Sequence, residues 1–307
     1  MSAATLTVVQ AGVHTTVQDA GRWGFQHLGV PVGGALDPDA YHRANVLVGN
    51  GAGEAVLEVT LTGCALRTGA DTWLAVTGAP FEGDLLDPAG KPASRLVMDT
   101  AFRLPAGATL VMGQRLAGAR AYVGVRGGLD VPPVLGSRSA WPWLPRRGAL
   151  RDGQVLRVAD RAVSPVMEVG VPGLPRTDVL RVHPTADGLR DARVLDALCA
   201  SRGYRIAATA SRMAYPLEDG SSVPLHAPDR ASAGTVNGAI QIVPSGLPIL
   251  LMAERQTTGG YPIAAVVIGQ DLSQAAQLPP GARVRFARCG PGDVPHAFAR
   301  LGHSHDG

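Results

Sequence analysis

The nine residues Leu278–Phe286, LPPGARVRF, join a tight turn to a strand. Gly281 suits the turn, and the alternating apolar residues after it are typical of a strand buried on one face. The same pattern, Leu-x-x-Gly-x-x-apolar-x-apolar, occurs at Leu104–Met112 and at Leu150–Val158. Each copy suits the entry of a barrel strand, so the pattern predicts a chain built from short strands and tight turns.

Glycine and proline are abundant along the whole chain. They make up 63 of the 307 residues, well above the roughly 12% of an average protein. Apolar residues, 46% of the chain, lie in short runs between them, which favours many strands over disorder. Clear strands are predicted at Trp73–Thr77, Ala121–Val125, Val179–Val182, Ala239–Val243 and Ile249–Ala253.

Each half of the chain has one predicted helix. The first starts at Asp37, a good N-cap followed by Pro38, and runs to about Val48. The second is predicted over Asp191–Ser201. We therefore expect a mainly β protein, rich in strands with a few short helices, that folds as two β-barrel-like domains.

A segment rich in proline and glycine, residues 164–175, separates the two predicted domains. The N-terminal domain is predicted over residues 1–165 and the C-terminal domain over residues 176–288. Residues 289–307 are polar and contain glycine, and we predict a flexible tail there.

The basic residues exclude several classes of protein. Lys91, in a predicted turn, is the single lysine, whereas the chain has 27 arginines. The sequence therefore has no P-loop, no plausible Schiff-base lysine and no lysine suited to covalent attachment of biotin. A net charge of +3 and an aromatic content of 5% argue against binding of nucleic acid.

Location and metal content are also constrained by composition. No run of 18 apolar residues suggests a transmembrane helix, and no signal peptide is evident. The three cysteines, Cys64, Cys199 and Cys289, lack C-x-x-C spacing and fit free thiols in a reducing cytoplasm. We expect a cytoplasmic protein without a metal site.

The densest polar segment is Glu254–Pro262, ERQTTGGYP, which follows the apolar run Pro248–Ala253. Arg255 supplies a planar fork of donors suited to a carboxylate or phosphate. A glycine pair lets the backbone approach a ligand closely. The segment is either part of a binding site or a polar hairpin turn. Its candidate ligand-binding residues are Arg255, Gln256, Thr257, Thr258, Gly259, Gly260 and Tyr261.

Other polar residues lie at or near predicted strand ends. The turn Gly29–Asp37 either holds an anion at the start of the first helix or ends in a residue, Asp37, that only caps it. Glu58, within an apolar strand, is either exposed on an alternating strand or buried and paired with an arginine. Further candidates are Arg126, Arg138, Arg212 and Gln241.

Several segments together resemble the allophanate hydrolase subunit 2 family. This is also called the biotin-dependent carboxyltransferase-like family, and it includes component C of 5-oxoprolinases. The segments occur in the order typical of that family, from about residue 5 to residue 288. The matching segments are Thr16–Arg22, Gly24–Pro31, Ala44–Asn50, Leu57–Leu61, Val76–Ala79, Gly127–Ser139, Ser211–Met213 and Glu254–Pro262.

The resemblance implies two cyclophilin-like β-barrel domains and a heteromeric complex. The expected partners are subunit 1 of the family, similar to component B of 5-oxoprolinases, and a larger protein similar to component A. Such complexes hydrolyse 5-oxoproline to glutamate with ATP, which we expect to be shared with or bound by the partner subunits. The sequence departs from the family pattern at Gly33, Ala214 and Ile263, where relatives often have Ser, Gly and Lys.

Three functions follow from the resemblance. The first is a 5-oxoprolinase subunit, and the second is a carboxyltransferase component acting on biotin carried by another chain. The third is a binding module that antagonises a kinase inhibitor. For the first we predict charge stabilisation by Arg126, Arg212 and Arg255, with Arg138 able to replace Arg126. Glu58 or Asp37 would be the acid or base, and Gln241, Gln256 and Thr257 would orient the substrate.

Overall fold

The computed structural model describes residues 4–141, 143–144, 148–173, 175–200, 202–225 and 231–290. The chain divides into two compact units. The first comprises Met1–Phe25 and Val32–Pro175, and the second comprises Gln26–Pro31 and Arg176–Gly307. This division differs from the predicted domain bounds because residues 166–175 belong to the first unit and Gln26–Pro31 to the second.

The first unit contains eleven strands and one α-helix among its described residues. The helix, α1, spans Pro38–Leu47. The strands are β1 Thr5–Gln10, β2 His14–Gln18, β3 Val56–Thr60, β4 Ala65–Thr68, β5 Thr72–Gly78, β6 Phe81–Leu86, β7 Pro92–Arg95, β8 Ala101–Leu104, β9 Thr109–Arg115, β10 Arg120–Val125 and β11 Val155–Arg157.

These strands form two sheets around one apolar core. One sheet has the order β11-β1-β4-β9-β6-β7 and the other has the order β2-β3-β10-β5-β8. Leu6 and Leu66 of the first sheet and Leu57 and Val123 of the second are fully buried members of the same core. Burying one face of each sheet against the other explains the alternating apolar residues of these strands.

Helix α1 packs on the second of these sheets. Asp37 caps its N-terminus, since its carboxylate accepts a hydrogen bond from the Ala40 amide at 2.9 Å, and Pro38 occupies the first turn as predicted. On the buried side, a Cβ added to Gly124 of β10 would lie 2.5 Å from the Ala44 carbonyl oxygen. The close approach of helix and sheet therefore requires glycine at position 124.

The second unit is built around a closed barrel. Its strand order is β12-β19-β16-β17-β14-β13-β20, in which β12 and β20 are parallel and the other described pairs are antiparallel. β15 and β18 form a separate two-stranded sheet. The strands are β12 Val179–Pro184, β13 Tyr204–Ile206, β14 Ala214–Glu218, β15 Ala233–Gly234, β16 Ala239–Ile242, β17 Pro248–Leu251, β18 Thr258–Gly259, β19 Ile263–Val267 and β20 Arg283–Arg288.

Three short helices accompany the barrel: α2 Ala186–Leu189, α3 Ala192–Ala200 and α4 Leu272–Ala276. The predicted helix over Asp191–Ser201 corresponds to α3. The helices α2 and α4 were not predicted, because four or five residues are too few for a visible periodicity. Along the described ranges, no helix combines the length and apolar character that a membrane crossing requires.

The prediction of a mainly β chain with a few short helices is confirmed. Each of the three repeated cassettes leads into a strand, β9, β11 and β20. The shared glycine of each cassette has a positive φ of 80°, 80° or 83°, at Gly107, Gly153 and Gly281, a conformation that glycine adopts without strain. The described strands of the first unit form two sheets, and seven of the nine in the second unit form the closed barrel. The predicted tail lies outside the described residues beyond residue 290.

Candidate functional site

The segment Glu254–Pro262 lies beside the arginine-bearing segment Ser211–Met213 in the second unit. The Met252 amide donates to the Met213 carbonyl at 2.9 Å, and the Glu254 amide donates to the Arg212 carbonyl at 3.0 Å. The Arg212 Nε donates to Glu254 Oε1 at 2.7 Å. Arg212 is therefore a buried cation whose charge is balanced by Glu254, and two of the segments selected from sequence meet here.

Arg255 is buried to nearly the same extent but has a different environment. The residue is 6% exposed, and its Nη2 donates to the Thr235 carbonyl oxygen at 3.3 Å. Its Nε has no hydrogen-bond partner, and among the described residues no carboxylate forms an ion pair with it. Burial lowers the pKa of the Arg255 guanidinium. The guanidinium is thus desolvated without a compensating anion in the described part of the chain.

The strand pair β15–β18 and the adjacent Thr235 hold the turn in place. The Thr235 amide donates to the Thr257 carbonyl at 3.0 Å, and the Thr235 hydroxyl donates to the Gln256 carbonyl. Ala233 pairs with Gly259 in the same short sheet. The segment therefore forms a hairpin-like turn, and its predicted role in a binding site stays a prediction.

Gln241, on β16, also contacts this turn. Its side-chain amide donates to the Tyr261 carbonyl at 3.5 Å, and a Cβ added to Gly259 would lie 2.6 Å from the Gln241 Nε2. Glycine at 259 therefore lets the Gln241 amide approach the turn. Thr235, which accepts the hydrogen bond from Arg255, is the other neighbour of this position, with its Cγ2 3.4 Å from that Cβ.

The remaining candidates of the turn face solvent to different degrees. Gln256, Thr258, Gly260 and Tyr261 are exposed, and Thr257 and Gly259 are half-buried. The second unit therefore combines a buried arginine, a buried amide and an exposed polar turn. We call the set Arg212, Thr235, Gln241, Glu254, Arg255 and Gly259 the arginine cluster.

Glu58 lies in a buried network of the first unit. It is completely buried, and its Oε2 accepts hydrogen bonds from the Leu36 amide at 2.9 Å and from the Tyr122 hydroxyl at 2.8 Å. The Arg120 Nε lies 3.7 Å from Glu58 Oε1. Of the two alternatives from sequence, the structure favours the buried acid paired with an arginine. This placement favours a structural role over acid–base chemistry, while the catalytic role stays a prediction.

Asp37 is joined to Glu58 through Tyr122. The Asp37 amide donates to the Tyr122 hydroxyl oxygen at 2.8 Å, and its carboxylate caps α1. Burial, and then the negative charges of Glu58 and Asp37, raise the pKa of Tyr122 well above its ordinary value. The tyrosine therefore stays protonated and donates to Glu58, and the structure favours Asp37 as a helix cap over an anion site.

Arg126 and Arg138 take part in other contacts of the first unit. Arg126 Nη1 donates to the Val48 carbonyl at 2.9 Å and to the Ser164 carbonyl at 2.8 Å. Arg138 donates its backbone amide to Asp19 Oδ2 at 2.5 Å, and its side-chain Nε is buried without a hydrogen-bond partner. The described contacts do not bring Glu58, Arg126 and Arg138 into one cluster.

Asp19, a buried carboxylate of the first unit with four described hydrogen bonds, was not selected from sequence. Its Oδ1 accepts hydrogen bonds from the Ser137 and Ser139 hydroxyls, both at 2.6 Å, and from the Gly21 amide at 2.9 Å. Burial opposes ionisation, but the hydrogen bonds from Ser137, Ser139, Arg138 and Gly21 outweigh it and lower the pKa of Asp19. The sequence signal that could have identified Asp19 is its position within the family-matching segment Thr16–Arg22.

The structure places the three residues that depart from the family pattern, Gly33, Ala214 and Ile263. Gly33 has a φ of +64° and lies close to Arg22, whose Nη1 would be 3.5 Å from an added Cβ. Ala214 pairs with Leu251 between β14 and β17. Ile263 begins β19, and its amide donates to Asp187 Oδ2 at 3.3 Å. Throughout the described ranges, no group of three or more His, Cys, Asp or Glu residues could hold a metal ion.

The folded units and these motifs define a carboxyltransferase-type domain. The family described as carboxyltransferase domain, subdomain A and B, matches residues 28–288. The chain belongs to this family, and the resemblance deduced from its motifs is confirmed.

Three similar proteins place the chain within the family. It is 35% identical over 292 residues to component C of the 5-oxoprolinase of Escherichia coli (strain K12), a match that covers 92% of this chain and 91% of that protein. It is 27% identical over 315 residues to urea amidolyase of Saccharomyces cerevisiae, covering 92% of this chain and 16% of that protein. A crystal structure of TTHA0988 matches with a TM-score of 0.81 at 33% identity, covering 93% of this chain and 56% of that chain.

Proposed function

We propose that this chain is one subunit of a heteromeric, ATP-dependent 5-oxoprolinase that hydrolyses 5-oxo-L-proline to L-glutamate. The observation that carries the proposal is the 35% identity to a protein named as component C of a 5-oxoprolinase, with a match that covers nine-tenths of both chains. The match therefore covers most of this chain and most of that protein.

The chemistry requires activation of an inert lactam. Transfer of the ATP γ-phosphoryl group to the lactam oxygen would give an activated carbon that water attacks. The ring C–N bond then breaks and the nitrogen takes a proton, which leaves an acyl phosphate. A second water molecule attacks this acyl carbon and phosphate leaves, so that one ATP and two water molecules yield glutamate, ADP and phosphate. Negative charge develops on oxygen in these steps, and fixed positive donors stabilise it.

The arginine cluster is the part of the chain best suited to that task. It places a buried guanidinium, a buried side-chain amide and a glycine turn in one small volume. The sequence contains no P-loop, so we propose that ATP is bound by, or shared with, the partner subunits. These partners are a protein similar to 5-oxoprolinase component B and a larger protein similar to component A, and no biotin is attached to this chain.

Reconstitution tests this proposal. The chain is combined with its partners, the proteins similar to components B and A, and glutamate release from 5-oxoproline is measured with and without ATP. We expect ATP-dependent glutamate release that requires all three chains. A well-folded complex that releases no glutamate with ATP would contradict the proposed function.

The second candidate is a carboxyltransferase component that accepts CO2 from biotin carried by another chain. The 27% identity to a urea amidolyase favours it, but the match is weaker and covers a small part of that protein. A complex with a biotin carboxylase and a biotin carrier that carboxylates urea, without hydrolysing 5-oxoproline, would favour this candidate.

A further inference from the structure

The three arginines selected from sequence as charge stabilisers differ in what balances them. Arg126 donates to two carbonyl oxygens. Arg212 forms an ion pair with Glu254. Arg255, only 6% exposed, has one hydrogen bond of 3.3 Å, to a carbonyl, and its Nε has no partner. Arg126 is half-buried, whereas Arg255 is buried, has no ion pair with a described carboxylate and uses one donor nitrogen in a described hydrogen bond.

An uncompensated buried cation is costly to maintain. Removing a charged group from water costs several kcal/mol unless an opposite charge or hydrogen bonds replace the lost solvation. The fold around Arg255 provides a carbonyl and no anion among the described residues. Functional residues are often retained although they reduce stability. The buried charge of Arg255 is therefore consistent with a ligand that supplies the missing negative charge.

The donors of Arg255 suit a planar or tetrahedral anion. Nε and Nη2 lie on the same edge of the guanidinium, and this edge binds two oxygens of a carboxylate or phosphate side by side. Nε is unpartnered and Nη2 has a second N–H beyond the one directed at Thr235. The Gln241 amide and the half-buried backbone of Gly259 lie next to the same threonine.

We propose that Arg255 binds an oxyanion group of the ligand, either the carboxylate of a small lactam acid or a phosphate, with Gln241 and the Gly259 backbone beside it. This deepens the proposed function, and it rests on that function for the identity of the lactam acid. Arg212 is then a positioning residue whose ion pair with Glu254 fixes the backbone that carries Arg255.

Direct binding to the assembled complex tests the inference without requiring turnover. The probes are 5-oxo-L-proline, 2-pyrrolidinone, which is the same lactam without the carboxylate, and inorganic phosphate. We expect 5-oxoproline or phosphate to bind, and Arg255→Gln to weaken that binding roughly ten- to a hundredfold. Loss of 5-oxoproline binding with unchanged 2-pyrrolidinone binding identifies the carboxylate, whereas loss of phosphate binding identifies a phosphoryl group.

A matched control separates a specific site from general electrostatics. Arg205 lies on β13 of the same unit, is half-exposed and pairs with Glu218 and Asp219. Arg205→Gln removes the same charge and is expected to change the affinity for either anion less than twofold. Equal weakening by both variants would overturn the proposal.

The stability of the ligand-free protein supplies a second readout. Arg255→Met removes a buried charge that no described carboxylate balances, and we expect the melting temperature to stay unchanged or to rise. Arg212→Met removes the ion-pair partner of the Glu254 carboxylate, and we expect it to lower the melting temperature. If Arg255→Gln does not fold, Arg255→Lys keeps the charge without the fork and is expected to weaken anion binding at least severalfold.

Two results overturn the proposal. One is an assembled wild-type complex that binds neither 5-oxoproline nor phosphate, and the other is binding that Arg255→Gln or Arg255→Lys leaves unchanged. Anion binding that depends on Arg255 in a complex that makes no glutamate would contradict the proposed function but leave the oxyanion site standing.

Discussion

Asp19 and Ser139, 120 residues apart, are joined by two hydrogen bonds. The Asp19 amide donates to the Ser139 Oγ at 2.9 Å, and the Ser139 hydroxyl donates to Asp19 Oδ1 at 2.6 Å. The Arg22 side chain donates to the Ser139 carbonyl and lies over the Trp141 ring, 5.4 Å from its centroid. Two family segments distant in sequence, Thr16–Arg22 and Gly127–Ser139, are thereby tied together in the first unit.

We predict that Asp19→Asn lowers the free energy of unfolding by at least about 2 kcal/mol near pH 7. The amide offers one acceptor oxygen to four donors, so buried hydroxyl or backbone N–H groups lose their partners. Urea unfolding monitored by circular dichroism measures the change. Asp130→Asn, at an exposed position of the same unit, is the control and should change stability by less than about 0.5 kcal/mol.

The effect of Asp19→Asn should depend on pH. The folded pKa of Asp19 is below its ordinary value, so its carboxylate stabilises the fold fully above the unfolded pKa of about 3.9. That contribution is lost as the pH falls through the lower folded pKa. The difference between wild type and variant should therefore shrink below about pH 4, and a constant difference down to low pH would contradict this assignment.

Tyr122→Phe tests whether Glu58 is structural. The change removes the donor to Glu58 Oε2 and the acceptor of the Asp37 amide, so we expect a loss of about 1–3 kcal/mol in the free energy of unfolding. Glutamate release per folded complex should stay within a few-fold of wild type. A large loss of activity without a loss of stability would instead support the acid–base role predicted for Glu58 from sequence.

Arg126→Ala is expected to destabilise the first unit without lowering the activity of the folded complex. The variant releases the carbonyls of Val48 and Ser164, and we expect a loss of about 1–3 kcal/mol. Thermal unfolding gives the size of the effect, and assays at a temperature where both proteins are folded give the activity. An Arg126→Ala protein of normal stability that is inactive in the complex would support the charge-stabilising role predicted for Arg126 from sequence.

The fold class could be predicted from sequence because its signals are local. A glycine at positive φ before an alternating strand reports the turn and the strand together, as at Gly281, and Asp37 with Pro38 marks the start of α1. The pairing of two sheets in one unit and the closure of the barrel in the other depend on contacts between distant strands, which no single segment records.

Only part of the candidate site could be predicted from sequence, because its contacts join residues that are distant along the chain. Arg212 and Arg255 were selected by residue type. The sequence does not show that Arg212 pairs with Glu254 whereas Arg255 donates to the Thr235 carbonyl. Asp19 was missed because a short carboxylate beside glycine is common in turns. Its importance follows from Ser137 and Ser139, more than 100 residues away.

Gly34 and Gly33 form a matched pair for testing the packing of the loop before α1. Both have positive φ, +84° and +64°, so alanine at either position incurs a conformational cost of roughly 1 kcal/mol. The two positions differ in the room available for a side chain. A Cβ on Gly34 would lie 2.9 Å from the Gly21 amide nitrogen and 3.0 Å from the Asp19 carbonyl oxygen. The nearest atom to a Cβ on Gly33 is the Arg22 Nη1, at 3.5 Å.

We therefore expect Gly34→Ala to lower the free energy of unfolding by about 3 kcal/mol or more, because rigid backbone must move and the hydrogen bond from the Ala35 amide to the Asp19 carbonyl is strained. Gly33→Ala should lower it by only about 1 kcal/mol. Gly33→Ser, the residue that the family pattern favours, should behave like Gly33→Ala. Urea unfolding of the three variants measures the difference, and equal destabilisation at positions 33 and 34 would mean that the loop relaxes away from Asp19.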